Sequence, residues 1–361
     1  MRKILPLMLL ASASAQAEFS AVYTVDVASV LEGGIKTGSV FLDNIEVSSS
    51  GTTSQGEWSG TLLYTNSNTF SDLYAGDGQV ASNIDNTSMI RLYELWYRHD
   101  LHAQSWQFGL IDLNGLYDAI DTAGLFLNSS HGIGPDFSQS GENGPSIFPV
   151  TSLALNWQWQ VTENVHWQVG VFDGVPGDPD HPRRSTIDVN SRDGALISSE
   201  LNIQHEGRRY AMGAWRYTAD SEFTDSTATG KNSGLYGIIE KPADDSENAL
   251  AWWLRAGLAN RDINSVENYL GGGITLQRFN DTHPEDILGV AIAYAASADR
   301  WRNTENAGNG ETAIEISYSR QVTEWLRLQP DLQYVISPSA NKGLDDTLIF
   351  ILRAEFTLTH L

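Results

Sequence analysis

The run Leu153-Ala154-Leu155-Asn156-Trp157-Gln158-Trp159-Gln160-Val161 decides how the rest of the chain is read. Large apolar side chains take the odd positions; polar or small ones take the even positions. Successive strand residues point to opposite faces, so a period of two describes a ribbon with one apolar and one polar face. Thr162-Glu163 ends the run, and a further alternating stretch follows over 164–173. Two such strands joined by a tight turn make an antiparallel hairpin.

The same period extends outward in both directions. Leu250, Trp252, Leu254, Ala256 and Leu258 form one row, and Leu288, Val290, Ile292 and Tyr294 another. Leu326, Leu328, Leu332, Tyr334 and Ile336 alternate with Trp325, Arg327, Gln329, Asp331 and Gln333. Sixteen strands are predicted, over 19–28, 38–48, 56–66, 89–99, 104–112, 152–161, 164–173, 195–205, 208–218, 232–240, 249–259, 268–278, 286–296, 310–321, 324–336 and 346–358. Most are about ten residues long, the length a tilted strand needs to cross a bilayer.

The connections follow a parity. Short ones fall near 100–103, 162–163, 206–207 and 322–323, after even-numbered strands; long ones fall near 67–88, 113–151, 174–194 and 219–231. An outer-membrane barrel has short periplasmic turns and long extracellular loops. The expected fold is therefore all-β, a single 16-stranded antiparallel transmembrane β-barrel occupying 18–361. Sixteen strands enclose an aqueous channel rather than a packed core. The longest connection, about 113–151, carries Leu125, Phe126, Leu127, Ile147 and Phe148 among its polar residues. That apolar content requires a packing partner, so the loop is expected to fold inward and constrict the channel.

The chain begins with a basic Met1-Arg2-Lys3, an apolar stretch, and Ala15-Gln16-Ala17 before Glu18. These are the parts of a secretory signal peptide, read over 1–17. The composition is consistent with export. Among 361 residues there are 45 Asp+Glu, 22 Lys+Arg and no cysteine, for a formal charge of −23. Such a balance argues against a phosphate-backbone binder, so no nucleic-acid partner is expected. Without cysteine there are no thiolate metal sites, disulfides or thiol nucleophiles.

Three long stretches carry a family resemblance. They are Phe126-Leu127-Asn128-Ser129-Ser130-His131-Gly132-Ile133-Gly134-Pro135 with Gly144-Pro145-Ser146-Ile147-Phe148-Pro149; Gly170-Val171-Phe172-Asp173-Gly174-Val175-Pro176-Gly177-Asp178-Pro179; and Glu311-Thr312-Ala313-Ile314-Glu315-Ile316-Ser317-Tyr318 running on toward Leu328-Gln329-Pro330-Asp331. Together they resemble the carbohydrate-selective porin family of the OprB type, from about residue 90 to the C-terminus. The resemblance implies an outer-membrane channel passing mono- or small oligosaccharides by facilitated diffusion, with no cofactor and no metal. Its partners would be the sugar and the surrounding lipid; a homo-oligomer is left open. Two positions depart from the family pattern. The strand before the long loop reads Gly109-Leu110-Ile111-Asp112, without a basic residue, and the chain ends Thr359-His360-Leu361 rather than on Phe.

Strand phase nominates the lining residues. In the fourth strand Tyr93, Leu95 and Tyr97 form the apolar row, so Glu94, Trp96 and Arg98 should face the lumen. Carboxylate and guanidinium bind hydroxyls, and an indole stacks on the C–H face of a sugar. Asp112 and Asp136 are the favoured loop carboxylates. Arg255, Glu315 and Arg327 are the expected wall residues, with Trp325 facing inward beside Arg327. Binding must stay weak for conduction to continue.

Two other functions compete. A general, non-selective porin has the same pattern. An exported carbohydrate-active enzyme could use Glu311 and Glu315 as an acid/base pair. No serine lies in a nucleophile-elbow context, and Gly271-Gly272-Gly273 is not followed by the Lys-Ser/Thr of a phosphate loop.

Overall fold

The computed structural model describes residues 17–66, 69–187, 189–244 and 249–360. The signal segment expected over 1–17 lies outside these residues, except for Ala17, where the first strand begins. Sixteen strands follow one another: β1 (Ala17–Gly34), β2 (Gly38–Thr53), β3 (Gly56–Thr65), β4 (Met89–Leu101), β5 (Gln104–Ile111), β6 (Ser152–Thr162), β7 (Val165–Asp173) and β8 (Ala195–His205). The second half comprises β9 (Arg208–Phe223), β10 (Ser226–Lys241), β11 (Ala249–Ala259), β12 (Val266–Gln277), β13 (Ile287–Ser297), β14 (Gly310–Thr323), β15 (Leu326–Ile336) and β16 (Asp345–His360). Each pairs antiparallel with the next, and β1 pairs with β16 to close the barrel. Closure leaves no strand edge. In hydrocarbon each unpaired backbone group costs several kcal/mol, so closure is a requirement for an open lumen in a membrane.

Period two becomes two environments. On β11, Leu250, Leu254 and Leu258 are exposed on the outer face, while Ala251, Trp253 and Arg255 are buried inside. Leu288, Val290, Ile292 and Tyr294 on β13 are likewise exposed. These outward rows form an apolar band around the barrel. Near the short turns the outer face carries indoles: Trp157 meets Trp106 at 6.2 Å, Trp159 at 6.1 Å and Trp167 at 5.5 Å between ring centroids. An amphipathic ring belongs at the level of the lipid headgroups. Trp325, expected inside, instead stacks on Phe356 of the outer face.

The parity of the connections needs two corrections. The connection expected to be long at 219–231 is a hairpin: β9 and β10 run on together, with Lys231 paired to Asp220 in register and by an ion pair of 2.8 Å. Strand pairing needs only backbone groups, so polar ends continue the ladder beyond the membrane. At the same end, β1 and β2 meet across residues 35–37. A short helix α1 (Pro135–Ser138) lies in the longest loop, and α2 (Asp299–Glu305) follows β13. From α2, Arg300 reaches Asp225 at 2.7 Å and Asp262 at 2.6 Å, tying the long-loop end together.

Two loops fill much of the lumen. Leu113, Tyr117, Ile120, Phe126, Ile133 and Phe137 pack on Phe172, Leu196, Trp215, Tyr236 and Trp253 of the wall. Phe137 lies flat on Trp215, with centroids 4.9 Å apart. The segment 69–88 packs on the opposite wall, where Phe70, Ala75, Ala81 and Ile84 meet Ala28, Val30, Leu42, Val335, Ile349 and Ile351. Backbone bonds join the two loops: Asn83 N–H donates to Leu127 O at 2.8 Å, and Ser129 N–H to Val80 O at 2.9 Å. The segment 69–88, placed inside beside 113–151, was not foreseen as a lumen loop.

Candidate channel constriction

The lumen loops are held by carboxylates of the wall. Glu200 on β8 accepts from the Asp118 amide at 2.9 Å, and Glu240 on β10 from the Thr122 amide at 3.2 Å. On β14, Glu315 takes the amides of Leu127 and Asn128 at 2.6 and 3.1 Å. Glu311, two pleat periods away, takes those of Gly78 and Gln79 at 2.7 and 2.9 Å. Inside a closed barrel these amides have no ladder partner, and a charged acceptor roughly doubles the strength of each bond. His131 lies 3.4 Å from Glu315, but burial pushes its imidazole down to about 3, so the contact is not an ion pair at neutral pH.

Arg255 is the strongest clamp. Its guanidinium donates to Asp118 and to Asp136, and all three side chains are sealed from solvent. The rings of Tyr236 and Tyr269 lie 5.6 and 5.0 Å from its charge. Such a triad holds only because every charge is paired.

Between the loops and the β1–β4 side of the wall a cavity of about 710 Å³ remains. Glu46, Asp85, Glu94, Asp112 and Arg353 contribute its charged lining, together with the rings of Tyr93, Phe126 and Phe148. Arg353 on β16 is bound to Asp26 by two bonds of 2.8 Å and to Asn83 at 2.7 Å. Tyr93 O–H donates to Asp112 at 2.6 Å, and the Asp112 amide donates to Glu94 at 3.1 Å. The edge of Phe148 meets Tyr93 at 6.2 Å.

The nominated residues take four different places. Glu94 and Asp112 line the cavity. Arg255 and Glu315 face inward beneath the loop and Asp136 lies within the loop; all three are buried and bind protein rather than present themselves to a solute. Glu311 and Glu315, weighed as an acid/base pair, each hold loop backbone. Arg98 and Arg327 sit at the short-turn end, away from the narrowing: Arg98 pairs with Glu57 at 2.8 Å and Asp100 at 3.0 Å, and Arg327 with Glu355 at 3.8 Å. Trp96 packs against the apolar cluster of the loop and is not part of the cavity lining.

One local irregularity explains the largest miss. Thr61 pairs with Glu94 while Leu62 pairs with Leu92, so Tyr93 is the extra residue of a β-bulge. A bulge breaks the phase, and here it places Tyr93 inside beside Glu94. Glu46, Asn44, Gln79, Phe148 and Arg353 were also missed. Asn44 and Glu46 share the polar phase of β2 and were recoverable from the period; Gln79 lies in the unforeseen loop.

A closed sixteen-stranded barrel with a belted apolar exterior and a loop-narrowed polar lumen is an outer-membrane porin. A family model described as carbohydrate-selective porin, OprB family, matches residues 43–358, and the chain belongs to that family. Porin B of Pseudomonas aeruginosa is 24% identical over 260 residues, 59% of this chain and 57% of that relative. The match thus spans little more than half of that curated relative. The high-pH structure of Pseudomonas putida OprB superposes with a TM-score of 0.83 at 16% identity, covering 95% of this chain and 94% of that one. The outer-membrane channel DcaP of Acinetobacter baumannii gives a TM-score of 0.60 at 10% identity, covering 96% and 99%. At these identities the two structures speak for the fold alone.

Proposed function

We propose that this porin conducts mono- and small oligosaccharides across the outer membrane by facilitated diffusion, with the loop-lined cavity as its weak sugar-binding constriction. The cavity itself carries this reading. Its volume, about 710 Å³, falls in the range of roughly 300–1,000 Å³ found for small-molecule sites. Carboxylates and amides line one side for hydroxyls, and Phe148 offers an apolar face for ring C–H groups. Glu94, Asp112 and Glu46 are the direct ligands in this account. Asp136, Arg255 and Glu315 position the loop that shapes the site.

The residues 1–17 direct export, the short turns face the periplasm, and outer-membrane lipid surrounds the belt. Liposome swelling tests the function. Swelling with hexoses should be fast and should fall steeply for longer oligosaccharides. Equal rates for sugars and for uncharged non-sugar solutes of the same size would favour a general diffusion pore.

A further inference from the structure

The charge of the constriction is one-sided. Glu46, Glu94, Asp112 and Asp85 line it, against one guanidinium, Arg353, which Asp26 and Asn83 already engage. The other inward arginines do not compensate. Arg255 is saturated by Asp118 and Asp136, and Arg209 bonds Glu240 and Asn202.

A second, independent observation concerns two amides. Asn44 and Gln79 line the cavity, and each side chain is 3% exposed. Their amide nitrogens are committed, Asn44 to Glu46 at 3.4 Å and Gln79 to the Glu311 carbonyl at 3.4 Å. That fixes their orientation and leaves the carbonyl oxygens Asn44 Oδ1 and Gln79 Oε1. Neither has a hydrogen-bond donor among the described residues. A buried acceptor without a donor is destabilising and is relieved by a ligand that brings one.

Hydroxyl groups satisfy this lining only in part. Each hydroxyl donates once and brings two acceptor lone pairs that need donors in turn. The lining has neutral donors in its amides and hydroxyls, but its one charged donor, Arg353, is already held by Asp26 and Asn83. An ammonium group brings three donors and no acceptor, and its charge is attracted by the carboxylates of a narrow passage.

We infer that the constriction prefers a cationic sugar, an aminohexose with its protonated amine toward Glu94, Glu46 and Asp112, over the corresponding neutral hexose. This rests on the sugar-pore reading above and narrows its substrate class. The ring lies against Phe148, and a small shift of the Asn44 or Gln79 side chain would bring its unpaired amide oxygen to a ring hydroxyl or the amine. Because the attraction is electrostatic, it weakens as ionic strength rises.

The test uses the full-length porin in planar bilayers at about pH 6, where such an amine is protonated. Current is titrated with glucosamine, glucose, N-acetylglucosamine and methylammonium. Glucosamine should reach half-block at about a tenfold lower concentration than glucose, equivalent to about 1.4 kcal/mol. N-acetylglucosamine, which has lost the charge, should follow glucose, and methylammonium should block poorly. Glu94→Gln should bring the glucosamine-to-glucose ratio toward one; Glu46→Gln provides the same readout if the first variant fails to insert. Glucose block without any preference for glucosamine overturns this inference and leaves the sugar pore intact. Equal block by methylammonium and glucosamine also overturns it, because the site would then read charge alone. Absence of block by every sugar overturns both readings.

Discussion

Arg255 on the barrel wall and Asp118 in the inward loop form a two-point ion pair, with Nε to Oδ1 at 3.0 Å and Nη2 to Oδ2 at 2.6 Å. The residues are 137 positions apart in the chain. Asp136 occupies the other edge of the same guanidinium, so one wall residue fastens the loop at two points.

Replacing Arg255 with Met should strand two buried carboxylates, at a cost of about 3–5 kcal/mol. The loop then leaves the wall, and single-channel conductance and current noise both rise. Adding Asp118→Asn and Asp136→Asn to the same variant should recover part of the quiet, narrow state. An Arg255→Met channel with unchanged conductance would show that the triad does not hold the constriction.

The aromatic residues divide by role. Phe148 lines the cavity, whereas Trp96 packs beneath the loop. Phe148→Ala should weaken sugar block severalfold with little change in salt conductance. Trp96→Ala should act mainly through packing, lowering the temperature of unfolding on heat-modifiable gels. Equal sugar block in the two variants would count against Phe148 as the stacking surface.

Strand phase was informative about faces and silent about height. It separates Leu254 from Arg255, because one faces outward and the other the lumen. It nominates Arg98 and Arg327 as readily, although both lie at the short-turn end beside Glu57 and Glu355. Nothing in a period of two reports distance along the barrel axis. Tyr93 was misplaced because a bulge inserts one residue without a local signature. Asp136, Arg255 and Glu315 could not be recognised as anchors from sequence, since their partners lie more than a hundred positions away. The closed barrel was legible because alternation repeats sixteen times and each repeat is local.

Asp77, in the second inward loop, is buried near Glu311, and burial first, then that neighbouring carboxylate, push it up to about 7. An unfolded aspartate titrates near 3.9. Between these values the folded chain holds the proton and the unfolded chain does not. Stability therefore falls as pH rises from about 4 through about 7, and is level above that. The loss should reach a few kcal/mol at most, about 1.4 kcal/mol for each tenfold change in proton affinity. Asp77→Asn should flatten the curve relative to the parent protein. Thermal unfolding in detergent at a series of pH values measures both; parallel curves would mean that Asp77 does not titrate as described.

The lipid-facing band gives a direct membrane test. Leu254 lies midway along β11 on the outer face. Leu254→Arg should destabilise the folded barrel by about 2–4 kcal/mol at the bilayer midplane. Refolding into vesicles with urea titration reports the difference. A neutral result would place β11 outside the hydrocarbon.

Sugar titration of the current through single channels in planar bilayers bears most directly on the central claim, that a sugar occupies the cavity beside Glu94, Asp112 and Phe148. Added sugar should lower the current saturably, with weak half-block and rapid unbinding, and Phe148→Ala should shift that half-block to higher concentration. A current that changes only with solution viscosity, at every sugar concentration and in both proteins, would contradict it.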